Sequence, residues 1–205
     1  MRAVQLAWCL LILVLVLALR GCAWSPTAEQ AAVPAQRSSS MRAEVPTVGA
    51  TRPAGMVVIP TRLRIPAIGV NAQVEPLGML PNGDMATPMQ RPWDDVGWYN
   101  AGPHPGERGS AVIDGHLDRP GGYPAVFWHL RDLYVGAAVL VITSTGQTLH
   151  FQVTRIALYM PQAAPLQDIF GNKGGIYLNL ITCAGDWIPS EHQTTLRLVV
   201  YTSLA

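Results

Sequence analysis

Between residues 149 and 154 apolar and polar side chains take turns. Leu149, Phe151 and Val153 alternate with His150, Gln152 and Thr154. A period of two marks a strand with one buried face. The run "AVLVIT" precedes it, and "STGQ" between them supplies turn residues, so residues 138–160 read as a β-hairpin. Upstream, "TRLRIPAIGVNAQVEPLG" gives two short alternating segments broken at Pro66 and Gly69, and "PNGDM" is a turn signal. "GSAVIDGH" holds a short buried strand over 110–113 that ends in a polar tip. "GIYLNLIT" and "LRLVVYTSL" are the last two strands, the first running into a polar loop at Cys183. "YPAVFWHLRDL" is the only good short-helix candidate. Many short strands with few helices predict a mainly β domain, a closed barrel or a sandwich.

The pattern changes at the N-terminus. Residues 3–19 are uncharged and apolar between Arg2 and Arg20. About 20 apolar residues cross a bilayer. A cleaved signal has an apolar region of about 7–15 residues and a small-residue cleavage site. This run is longer, and Arg20 stands where small residues belong. Residues 1–24 therefore read as an uncleaved signal anchor, with a lipoprotein signal cut before Cys22 as the rival. Residues 25–55, rich in Ala, Pro, Ser and Thr, read as a flexible spacer. The expected organisation is an exported, tethered domain over 56–205, at the cell membrane with its folded part outside the cytoplasm.

Composition narrows the class. The formal net charge is +1 with no block of like charges, which argues against a nucleic-acid partner. With 49% hydrophobic and 13% charged residues, the chain is too apolar to be disordered.

Of the 3 cysteines, Cys9 lies in the apolar run and Cys22 at its edge. Cys183 is left without a partner in the folded domain, as inert core or as a functional thiol. A nucleophilic thiol needs a nearby base or positive charge. Among the histidines, His150 falls on a polar strand face, His129 suits packing beside Phe127 and Leu130, and His104 suits a turn. His116, directly after a buried strand, is favoured over His192 in its polar loop. Asp114, His116 and Asp118 could form half a metal site, but no second cluster completes it, and the acids serve equally to cap the loop. Arg197 shares a strand face with Val199 and Tyr201, as a solvated edge charge or a group aimed at a site.

"AVIDGH", then "LITC", then an arginine within an apolar strand together resemble the sortase signature. The similarity extends through "VGWYNAGPHPGERGSAVIDGH" and "AVFWHLRDLYVG", covers about residues 61–201, and is nearest to class F, with class E next. It departs at Ala184, where these classes commonly have glycine. The resemblance implies a closed eight-stranded β-barrel with one or two short helices and catalytic residues His116, Cys183 and Arg197. It implies substrate contacts at Thr182 and at the backbone near Ala184, no cofactor, and no calcium-binding acidic cluster. The implied partners are proteins with a Leu-Pro-x-Thr-Gly-like sorting signal and a cell-surface amine acceptor. The implied reaction is cleavage between Thr and Gly by a Cys183 thiolate, with a protonated His116 as general acid and transfer to the amine or to water. Dedicated pilin polymerases of the family commonly carry an Asp-Pro-aromatic lid, which "RPWDDVGW" does not match, and a second membrane helix after the domain. A general anchoring enzyme is therefore expected. Two other readings stand beside it: an L,D-transpeptidase-like cysteine enzyme acting on peptidoglycan, and a non-catalytic exported β-domain. In the former the cysteine follows a glycine, whereas Thr182 precedes Cys183 here.

Overall fold

The computed structural model describes residues 58–205, apart from Asn82. The anchor, the spacer and Met56 lie outside the described residues. Ten strands appear in chain order: β1 (Pro60–Ile65), β2 (Val70–Leu77), β3 (Val96–Tyr99), β4 (Gly109–Asp114), β5 (Asp118–Arg119), β6 (Tyr123–Pro124), β7 (Ala138–Thr143), β8 (Thr148–Tyr159), β9 (Ile176–Ile188) and β10 (Gln193–Leu204). Eight of them close a barrel in the order β1-β2-β3-β4-β9-β10-β8-β7, while β5 and β6 form a separate two-stranded sheet. Pairing of β1 with β7, Leu63 opposite Val141, closes the ring. Closure leaves no free edge to template aggregation. The pairs β2/β3 and β4/β9 are parallel; the other barrel pairs are antiparallel.

Alternation along each strand sorts the side chains. Leu63, Ile65, Val96, Ile113, Val139, Val141, Phe151, Leu178, Leu180 and Val200 point inward and are almost fully buried. Each such side chain contributes about 1.5–3 kcal/mol relative to exposure. The outward residues Val112, Val199 and Tyr201 form a second apolar cluster with Ile169 of the short helix α1 (Leu166–Phe170). The Asn179 amide on β9 donates to the Ile169 carbonyl at 2.6 Å and ties α1 to the barrel's outer face.

The hairpin over 138–160 forms as its alternation predicts, with His150 exposed. Two expectations need correction. Residues 123–133 contain no α-helix, only turns and a single 3-10 turn over Leu130–Asp132. The buried residues there are Phe127, Leu130 and Leu133, a spacing of three that suits 3-10 geometry rather than an amphipathic α-helix. His129 consequently faces outward and pairs with Asp132 at 2.7 Å instead of packing. The second correction concerns β9. It does not stop at Cys183 but continues to Ile188 and pairs with β10 as an outer hairpin arm. Among the described residues no helix is long and apolar enough to cross a membrane.

Candidate active site

Three neighbouring barrel strands build the site. Cys183 on β9 lies directly opposite Arg197 on β10. Directly paired residues project from the same sheet face. Cys183 is therefore on the outer face with Ile181 and Val199, while Thr182 and Leu198 turn inward and are buried. On its other side β9 runs parallel to β4, with Asp114 opposite Ile181. The chain stays in step beyond β4: the Gly115 N–H donates to the Ile181 carbonyl at 3.2 Å. The Thr182 hydroxyl donates to the Gly115 carbonyl at 2.7 Å. His116 is the next residue after Gly115, as Cys183 is the next after Thr182. His116, two residues past the end of β4, and Cys183 and Arg197 on β9 and β10 thus follow the order of these strands around the barrel.

Gly115 is fixed by close packing. A Cβ there would sit 2.7 Å from the Phe127 ring, which crosses the end of β4. The Phe127 N–H donates to the His116 carbonyl at 3.0 Å, fastening the histidine backbone from the other side. Against the His116 ring lies Trp93, with ring centroids 4.8 Å apart and planes tilted by 45°.

Arg197 is half-buried on a strand flanked by β8 and β9, so it is not an edge charge. Its Nη1 donates to the Thr194 carbonyl at 3.2 Å, the Thr194 hydroxyl at 3.0 Å and the Leu196 carbonyl at 3.0 Å. These acceptors sit at the irregularity between Thr194 and Leu196, where pairing with β9 shifts register. Nη2 makes only a 3.5 Å contact with Gln193 Oε1. No carboxylate pairs with Arg197 among the described residues. The guanidinium is held by neutral oxygens and keeps its charge uncompensated beside Cys183. Tyr159 of β8 faces Arg197 from the other side.

The remaining candidates fall away from this row. His192, with a left-handed φ of 52°, is exposed at the hairpin tip against Trp187. His104 forms the expected turn, pairing with Glu107 at 3.2 Å. Thr182 and Ala184 sit on either side of the cysteine, but the Thr182 hydroxyl is spent on Gly115 and the Ala184 methyl packs toward the core. Neither side chain is presented on the face that carries Cys183. Among the described residues no group of three or more His, Cys, Asp or Glu side chains is placed to hold a metal ion.

Burial dominates the electrostatics. It lowers the His116 pKa below its ordinary value, while the negative charge of Asp118 pulls weakly the other way. Burial also raises Asp114 to about 7, partly offset by backbone N–H groups of Asp114 and Gly97. Asp114 Oδ1 is enclosed and has no hydrogen-bond partner. A Cβ at Gly97 would run into Leu77 and this carboxyl, so glycine is required where β3 passes it. Trp93 and Asp114 were missed as parts of the site. Trp93 carried no periodic signal, and Asp114 was weighed only as a metal ligand or loop cap.

The Sortase domain family matches residues 63–205. The chain belongs to the sortase family. Among solved structures it is similar to sortase C1 of Streptococcus agalactiae in complex with MTSET, at 21% identity, covering 72% of this chain and 69% of that one with a TM-score of 0.56. It is also similar to sortase C-1 of Actinomyces oris, at 24% identity over 70% of each chain with a TM-score of 0.54. Sortase C-1 of Streptococcus pneumoniae matches at 23% identity over 71% of this chain and 66% of that one, TM-score 0.54. At these identities the likeness is one of fold. No curated protein matches.

The buried Asp114 gives a pH signature. Its folded pKa of about 7 lies above the unfolded value near ~3.9. As pH rises through that window the unfolded chain releases this proton first, so stability falls. Asp114→Asn should melt higher than wild type at pH 7.5, with the difference closing near pH 4. Thermal melts across that range check it, and a difference independent of pH would contradict it.

Proposed function

We propose that this sortase is a cysteine transpeptidase that cleaves a Leu-Pro-x-Thr-Gly-like sorting signal between Thr and Gly. The observation that carries the reading is the in-register pair of Cys183 and Arg197, with Thr182 beside the cysteine hydrogen-bonded to the residue before His116. Class F is the subfamily its motifs favour, and a general anchoring role is favoured over pilin polymerisation. Residues 3–19 would anchor it with the barrel outside the cytoplasm, or Cys22 would carry a lipid instead.

The Cys183 thiolate attacks the Thr carbonyl carbon through Sγ while His116 holds the proton. The guanidinium atoms of Arg197 that are not tied to Thr194 and Leu196, with backbone N–H groups, stabilise the oxyanion. Collapse of the tetrahedral adduct breaks the carbon–nitrogen bond, and the imidazolium donates its proton to the departing glycine amine. A thioester on Cys183 remains. An incoming cell-surface amine, or water, attacks it while His116 accepts the nucleophile's proton, and departure of the thiolate restores the starting pair. Thr182 acts from behind, by tying the cysteine strand to the residue before His116.

Three measurements test this. Incubation with a sorting-signal peptide should give a mass adduct equal to the acyl fragment on the wild-type protein and none on Cys183→Ala. Cleavage by the alanine variant at the wild-type rate would end the proposal. His116→Ala should lower turnover by about 10²–10⁴-fold, the span of a general acid–base group. His192→Ala at the exposed hairpin tip should change it less than about tenfold, and the reverse order would reassign the base. Arg197→Lys should melt within a few degrees of wild type yet lose about 100-fold or more in kcat/KM, as expected for a lost oxyanion donor. Near-normal kinetics would remove Arg197 from the mechanism, and a collapsed melting temperature would make it structural.

A further inference from the structure

The turn that presents Trp93 is held at both ends and in the middle. The Asp94 and Asp95 N–H groups donate to the Arg91 carbonyl at 3.0 and 2.9 Å, closing the turn. Asp95, almost fully buried, accepts the Arg91 Nε–H at 3.1 Å and the Gln73 N–H of β2 at 3.2 Å. The Trp93 carbonyl accepts from the Val126 N–H at 2.8 Å, in the segment that also fastens His116 through Phe127. Asp94 pairs with Arg119 at 2.6 Å, and Arg119 in turn donates to the Pro124 carbonyl at 2.9 Å. The turn is thus anchored to the barrel wall, to the β5–β6 sheet and to the strand-end crossing. Trp93 itself is half-buried, and the ring it meets is His116.

An aromatic ring carried on so many fixed points is a wall rather than a flap. We propose that Trp93 is a positioning residue for the reaction: its indole confines the His116 imidazole on the face that carries Cys183 and keeps water from one side of the ring. This deepens the transpeptidase reading and rests on it for its catalytic meaning, while the contact itself does not. Desolvation is the main cause that lowers the His116 pKa, and the indole is the ring that covers the imidazole. The charged neighbours on each packed element do not replace that cause. In the turn, Asp94 and Asp95 are paired with Arg119 and Arg91. On the histidine's own segment Asp118 acts in the opposite direction. On β4 lies the buried Asp114, and on β9 and β10 the titratable groups at this level are Cys183 and Arg197. Removing the indole should therefore admit water and favour the imidazolium.

The experiment is NMR titration of the His116 ring in wild type, Trp93→Phe and Trp93→Ala, without substrate, beside pH–rate profiles on the sorting peptide. In Trp93→Ala the His116 midpoint should move up toward the ordinary value near ~6.5. The limb of kcat/KM that His116 sets should move with it, and Trp93→Phe should stay close to wild type in both. Trp93→Leu, which keeps an apolar group in the turn, serves the same comparison should the alanine variant melt below the assay temperature. An unchanged His116 midpoint in the folded Ala or Leu variant would overturn the proposal. So would a phenylalanine variant as disturbed as the alanine one. Because the titration needs no substrate, it stands apart from the transpeptidase reading: a wild-type protein that forms no acyl adduct would defeat that reading and leave the His116 midpoints to decide the role of Trp93 as a wall.

Discussion

Everything at the site depends on the register of β9 between its two neighbours. On one side β4 runs parallel to it and delivers His116; on the other β10 runs antiparallel and delivers Arg197. A slip of one residue would turn Cys183 into the barrel and Thr182 out of it. The apolar alternation of Leu178, Leu180, Leu198 and Val200 resists that slip, because each would leave the core for the solvent side. The Thr182 hydroxyl on Gly115 adds a polar lock one residue from both cysteine and histidine. Core packing and active-site geometry are thus set by the same ladder. Stability and chemistry share one constraint.

The same strand ends also concentrate desolvation. His116 and Asp114 are two residues apart, and burial drives both toward their neutral forms. For His116 the effect falls on a group that gives and takes a proton in the proposed reaction. Asp114 has no such use within the mechanism, and its enclosed, unpartnered oxygen costs stability at neutral pH. Local rules of this kind are most often broken where a fold carries function. Arg197 presents the complementary case. Its charge is held by the carbonyls and hydroxyl of an irregular strand rather than by a carboxylate, which leaves it able to meet a developing negative charge.

Much of this was legible in the chain. Strict alternation over 149–154 marks β8, and the apolar runs ending in "DGH" and "LITC" mark the strands that bear His116 and Cys183. Alternation also puts Arg197 on the face opposite Leu198, because the side-chain period of a strand is local. Where side chains follow a longer-range instruction the chain was silent. Residues 123–133 read as a helix because their apolar spacing cannot distinguish a single 3-10 turn from an α-helix without the crossing it serves. The length of β9 was hidden because its outer arm, with Asp186 and Trp187 exposed, is held by pairing to β10 rather than by an apolar face.

By itself the sequence determined a β domain of short strands with one unpaired thiol in it, and it determined which residue types could attack, take a proton and carry positive charge. Only the tertiary structure decided that β10 is an interior strand of a closed ring, so that Arg197 faces Cys183 instead of solvent. It also decided that a tryptophan 23 positions before His116 meets its ring, and that one carboxylate oxygen of Asp114 is enclosed without a partner. The physical reason is that strand alternation is set by neighbours in the chain. Barrel order, burial and the charge state of a buried group are set by segments far apart in sequence, which meet only when the ring closes.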